Sequence, residues 1–154
     1  FVEGLKKDKL ILKEKSFCIF GVGGAGLAIC NSLLKENIAK LKIINRNTKK
    51  SESLKEKLTK RYVKSNIVTD DFYNNDISDY DYVINATSLG LKDNKECAFD
   101  IKKTKKDAII VDIIMDPEET ILIKEAIKNG RRFHVGKNML ESQIKLAGNF
   151  FNLW

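Results

Sequence analysis

The stretch Cys18-Ile-Phe-Gly-Val-Gly-Gly-Ala-Gly-Leu-Ala-Ile-Cys-Asn31 decides the fold, because a short apolar run enters a glycine-rich turn and leaves as an apolar, helix-forming segment. Gly21, Gly23 and Gly26 stand in the spacing G-x-G-x-x-G. Between a strand and a helix the first glycine permits a tight turn, the second lets backbone approach a pyrophosphate, and the third lets helix pack closely on strand. Unpaired N–H groups at the helix N-terminus then face the anion, with the helix dipole behind them. Taken alone the motif is weak, since glycine-rich turns also occur in other α/β proteins.

Working outward, Phe17 to Phe20 is the strand, and Ala25 to Glu36 is the helix, with Leu27, Ile29, Cys30, Leu33 and Leu34 on its buried face. Leu41 to Ile44 is too short for a helix and completes a strand-helix-strand unit. Upstream, Val2 to Lys13 is lysine-rich with spaced apolar positions, so residues 1–15 read as a connector helix. At the end of the second strand, a site for NAD would place a carboxylate against the ribose hydroxyls. The chain has Asn45-Arg46-Asn47-Thr48-Lys49-Lys50 instead. A guanidinium donates two hydrogen bonds to a 2′-phosphate and the lysines add positive field, so the expected cofactor is NADP. The alternative is ordinary cations after a strand, with Thr48 capping the next helix.

The rest alternates. Thr48 to Tyr62 is a charged helix, Asn66 to Thr69 a third strand, Asp70 to Asp81 a loop or short turn, and Tyr82 to Ala86 a fourth strand running into Thr87-Ser88-Leu89-Gly90. In an open parallel sheet, residues just beyond strand C-termini line the crevice, so Asn85, Thr87 and Ser88 face the nicotinamide half or else serve as hydrogen-bonded turn residues. Lys92 to Lys106 reads as a polar loop, and Ala108 to Ile114 as a fully covered strand interrupted by Asp112. A carboxylate there is costly to bury unless hydrogen-bonded, to backbone amides or beside the cofactor. Asp116-Pro117 turns the chain, Thr120 to Asn129 is a helix closed by Gly130, Arg132 to Val135 a sixth strand, and Gly136 to Leu153 the last helix. The expected fold is α/β: a Rossmann-type doubly wound parallel sheet of about six strands with helices on both faces, in the order 3-2-1-4-5-6.

Composition bounds the function. The 154 residues suffice for one domain, 43% hydrophobic and 32% charged. Lys and Arg exceed Asp and Glu by 28 to 21, a scattered +7 without the interleaved aromatics that would favour nucleic acid. Cys18, Cys30 and Cys97 lack metal or redox spacing, so no metal is expected and free thiols in a cytoplasm are the simplest reading. The run from Ala108 to Met115 is far short of the roughly 20 residues of a spanning helix. No Ser, Cys or His constellation suggests nucleophilic catalysis, and His134, the single histidine, reads as structural.

In chain order the motifs Gly21-Val22-Gly23-Gly24-Ala25, Asn45-Arg46-Asn47-Thr48, Ile84-Asn-Ala-Thr-Ser-Leu-Gly90, and a tail from Asp112-Ile-Ile-Met-Asp-Pro117 to Gly136-Lys-Asn-Met-Leu-Glu-Ser-Gln143 resemble the C-terminal NADP-binding domain of the shikimate dehydrogenase family. The first two are shared by many NADP proteins; the last two in this order are specific. The resemblance implies a cytoplasmic oxidoreductase of aromatic amino acid biosynthesis that reduces 3-dehydroshikimate reversibly to shikimate. It places the cofactor on Gly21 through Ala25, on Asn45 through Lys50 with Arg46 as main 2′-phosphate ligand, and on Ile113 and Gly136 at the nicotinamide end, to which the position of Thr87 just beyond the fourth strand adds that residue. Gln143 falls where the family reaches substrate hydroxyls, and Met115 where it usually has a tyrosine that contacts the substrate carboxylate.

The family's catalytic lysine and aspartate belong to an N-terminal domain, which the residues before the first strand do not supply. The chain is therefore expected to be a single NADP-binding domain over 1–154, without catalytic residues of its own, sharing shikimate with a missing domain. The resemblance leaves a homodimer open and adds neither membrane nor nucleic acid. The other readings are the NADP domain of a glutamyl-tRNA reductase-like enzyme, against which the tail ending at Gln143 argues, and a non-catalytic NADP-binding module.

Overall fold

Six strands form one parallel sheet in the computed structural model, which describes residues 1–137 and residue 144. In chain order the elements are α1 (Val2–Lys7), β1 (Ser16–Phe20), α2 (Gly24–Leu33), β2 (Lys40–Ile44), α3 (Thr48–Arg61), β3 (Ile67–Asp70), β4 (Tyr82–Asn85), a 3₁₀ turn (Ile101–Lys103), β5 (Ile109–Asp112), α4 (Ile121–Lys128) and β6 (Phe133–Val135). The sheet runs β3-β2-β1-β4-β5-β6, the order expected from the alternation. Strand order reverses between β1 and β4, and the crevice at their C-terminal ends is where such sheets take ligands.

Successive strand residues point to opposite faces, so β1 feeds two cores. Phe17 and Ile19 pack with Ile29, Leu33, Leu41 and Leu54 under α2 and α3, where α1 adds Val2 and Leu5. Cys18 and Phe20 face Ile77, Phe99, Leu122 and Ala126, beneath the 71–81 stretch, the 3₁₀ turn and α4. The supposedly polar 92–106 stretch thus contributes buried Ala98, Phe99 and Ile101, with the Phe99 ring 5.0 Å from that of Phe20.

Among the boundaries that differ from expectation, three have a plain physical reason. Helix α1 stops at Lys7 rather than running through residues 1–15, because Asp8 caps it and Lys9 enters the left-handed region at φ 58°. Helix α3 is capped by Asn47, whose side chain accepts from the Lys50 amide, so Thr48 is inside the helix. Asp112 ends β5 instead of interrupting it. The last helix beyond Lys137, with Gln143, lies outside the described residues.

Two buried polar groups hold the edges of the sheet. His134 on β6 is 3% exposed and its Nδ1 stands 2.8 Å from the Asp8 carboxylate, which ties α1 to the last strand and fits a structural role. Lys42, 8% exposed on β2, reaches Asp70 Oδ2 and the Asp76 carbonyl, each at 2.7 Å, and pins the stretch after β3. Burial opposes ionisation of Asp70, but the Lys42 hydrogen bond and the Asp71 amide outweigh it and hold the carboxyl below its usual range.

Candidate functional site

The glycine turn sits in the crevice. Gly21 has φ +100°, and its amide donates to the Ile44 carbonyl at 2.8 Å. A side chain there would meet the Ala86 carbonyl at 2.6 Å, so both the conformation and the space require glycine. A Cβ at Gly26 would collide with the Gly21 carbonyl, which is the close strand-to-helix approach expected of the third glycine. Gly23 is different: its φ is ordinary at −68°, and no atom lies within 4 Å of where its Cβ would be. It opens α2 with no side-chain cap, and Gly23, Gly24 and Ala25 are exposed. The amides of this first turn, without an acidic neighbour in it, are open to an anion.

Beside the turn, Val22 and Leu27 form an apolar floor for a groove of about 440 Å³ whose far wall is Asn47, Lys49, Lys50, Ser53, Leu54 and Lys57. Three lysines line it. The side chains of Asn45 and Asn47 shape the turn itself, Asn45 donating to the Asn47 carbonyl at 3.0 Å and Asn47 capping α3. Arg46 points away from this groove, its guanidinium 5.6 Å from the centre of the Phe72 ring, at the mouth of a second cavity of about 630 Å³ that Leu89 and Phe99 also line. The expected phosphate ligands are thereby divided: Lys50 faces the groove, and Arg46 rests on the other side of the β2 tip.

At the tips of β4 and β5 the polar groups turn inward. Asn85 is fully buried and does not face the crevice: its Nδ2 donates to the Leu89 carbonyl at 3.0 Å and to Asp112 at 3.2 Å, and its Oδ1 accepts from the amide and hydroxyl of Thr87. The Thr87 hydroxyl in turn accepts from the Leu89 amide, and its methyl stands 3.0 Å from where a side chain on Gly21 would lie. Asp112, 1% exposed, accepts from the Ile114 amide at 3.1 Å and the Thr120 hydroxyl at 2.7 Å. Burial pushes its carboxyl above the usual range, against the pull of those three hydrogen bonds. Backbone of Ile113 packs directly on Gly136, and Met115 is exposed on the loop that follows β5.

With this geometry in place, the model of the shikimate / quinate 5-dehydrogenase family matches residues 4–128. The chain belongs to that family. A shikimate dehydrogenase (NADP(+)) of Methanococcus maripaludis strain C7 is 36% identical over 152 residues, covering 97% of this chain and 52% of that protein. The chain spans about half the length of the curated relatives it matches. Among solved structures, a shikimate dehydrogenase in complex with NADP+ aligns over 90% of this chain and 49% of its own, at 29% identity and TM-score 0.79. A quinate dehydrogenase from Corynebacterium glutamicum in complex with NAD aligns over 90% and 50%, at 26% identity and TM-score 0.81.

Family membership thus joins an oxidoreductase lineage to a sheet whose glycine turn is open and whose β4 and β5 tips are closed. The structure places Lys50 in one groove with Val22 of the glycine turn, and the Thr87 methyl against Gly21. Sequence reasoning missed three features: Phe72 beneath Arg46, the Asp8–His134 tie, and the link from Asn85 through Asp112 to Thr120. The last had a signal, since Asn85 and Asp112 end adjacent apolar strands and are partners in register. Among the described residues no cluster of His, Cys, Asp and Glu is suited to a metal, and no helix is long and apolar enough to cross a membrane.

Proposed function

We propose that this chain is the NADP-binding part of a shikimate dehydrogenase, holding cofactor for the reversible reduction of 3-dehydroshikimate to shikimate. The observation that carries this is the uncapped α2 N-terminus at Gly23, open beside a lysine-lined groove. Amides of Gly24 and Ala25 take the pyrophosphate, and Lys50 with Asn47 and Thr48 takes the 2′-phosphate. Arg46 joins them by swinging off Phe72. When bound, NADPH supplies a hydride, and the protein supplies position. Ile113 and Gly136 border the nicotinamide end, and Met115 and Gln143 belong to the substrate side, where a thioether in place of the family's tyrosine removes one hydrogen-bond donor.

The catalytic lysine and aspartate of the family are assigned to a domain outside these 154 residues, so this chain alone binds cofactor and turns over poorly. Buried free thiols at Cys18 and Cys30 fit a reducing cytoplasm. Calorimetric titration with both cofactors tests the reading. NADP is expected to bind at least about tenfold more tightly than NAD, because a charge-assisted hydrogen bond to phosphate contributes roughly 1.5 to 3 kcal/mol. Equal affinities would remove the 2′-phosphate assignment.

A further inference from the structure

Asn85 and Asp112 occupy the last position of β4 and of β5, side by side in register and cut off from solvent. One carboxylate there joins three pieces of the structure. Through Asn85 it holds the 86–90 loop, since Asn85 also fixes Thr87 and the Leu89 carbonyl. Through the Ile114 amide it holds the 113–116 loop, and through the Thr120 hydroxyl it orients the cap of α4, because that hydroxyl also accepts from the Ile123 amide. The two loops leave the C-terminal ends of β4 and β5, the end of the sheet at which the crevice lies. Neither has slack behind it: the Thr87 methyl abuts Gly21 and the Ile113 carbonyl abuts Gly136.

We propose that Asp112 is a positioning residue for the nicotinamide half of the cofactor site, setting the separation of the 86–90 and 113–116 loops. The adenosine half rests on the glycine turn and the β2–α3 connection, which share none of these hydrogen bonds. The inference rests on the cofactor reading above. The chemistry at this position calls for a carboxylate, because three donors converge on it and all three acceptances are inside the protein. An amide offers one acceptor atom. Its NH2 would face either two N–H donors or the Thr120 hydroxyl, which would then accept twice and leave its own proton without an acceptor in a fully buried place. Asp112 touches no ligand; its effect passes through Thr87 and Ile113.

The test separates the two halves of the cofactor. NADPH binding is followed by the fluorescence of its nicotinamide, and adenosine 2′,5′-bisphosphate, which lacks that half, is titrated calorimetrically. Asp112→Asn is expected to weaken NADPH about tenfold and to blunt its fluorescence change, while the bisphosphate stays within about twofold, as for one disrupted buried hydrogen-bond set acting on one half only. Thr120→Val should reproduce this split, and Thr120→Ser, which keeps the hydroxyl, should restore the wild-type ratio; this pair carries the test if Asp112→Asn does not fold. Equal weakening of both ligands, or of neither, overturns the positioning role. A wild-type chain that binds neither ligand overturns the cofactor reading itself and this inference with it.

Discussion

The two halves of the crevice solve opposite problems. At the β1–α2 turn the chain leaves polar backbone exposed: Gly23 faces open space, α2 has no side-chain cap, and lysines stand along the neighbouring groove. At the β4 and β5 tips it turns polar side chains inward: Asn85, Asp112 and Thr120 are buried, and together with Thr87 they bond to one another or to backbone. The difference shows that residues of a motif contribute in two ways. Some present atoms to a ligand, and others hold in place the backbone that does.

The contrast breaks hardest at Gly26. A methyl group there meets the Gly21 carbonyl, backbone against backbone, so Gly26→Ala should destabilise the fold by about 3 kcal/mol or more and abolish cofactor binding. Urea unfolding followed by calorimetry measures both. Gly23→Val sharpens the contrast, because its side chain has room and its φ needs no glycine. Stability should change by less than about 0.5 kcal/mol while NADP binding is lost; a folded variant that retains affinity would contradict the pose.

A smaller effect is expected beneath the open half, where Lys42 pins the 71–76 stretch that carries Phe72 under Arg46. The Asp70 carboxyl is held below its usual range, so the stabilisation it supplies is present above the ordinary carboxylate pKa and is lost as pH falls through the folded value. Lys42→Met should cost about 1 kcal/mol at pH 7, discounted for the partly exposed partner, and the deficit should shrink below about pH 4. Denaturation midpoints across that pH range check the sign. A deficit unchanged at low pH would mean that the loss is one of packing.

Strand order and the glycine turn were legible because they rest on local rules: short continuous apolar runs, their alternation with helical segments, and glycine spacing. The sealed half was less so: Asn85 and Asp112 each close an apolar run, which marks them as a pair once β4 lies beside β5, but Asp112 finds Thr120 across a loop, and that partnership leaves no mark on local sequence. Asp112 read equally well as a structural acceptor or a site residue, and only the register of β4 with β5 decides for the first. The place of Arg46 just past β2 is plain in the sequence, but its resting place on Phe72 depends on the path of a stretch whose sequence shows only a loop. The lysine-rich composition of residues 1–15 is compatible with a longer helix than α1, and nothing in it marks Lys9, at φ 58°, as the residue that ends the helical path.

The position of β1 in mid-sheet has a consequence for synthesis. Its second neighbour is β4, and the contact between Ser16 and Asp81 closes 65 positions of chain. As the polypeptide emerges in order, β1 pairs with β2 through a connection of modest length, and β3 extends that side. The opposite edge of β1, formed by a strand whose Phe17, Cys18, Ile19 and Phe20 all end fully buried, stays unpaired until Tyr82 to Asn85 has been made. During that interval the nascent half-domain offers neighbouring chains an apolar open edge, the kind that seeds aggregation, and the late arrival of β4 is what removes it.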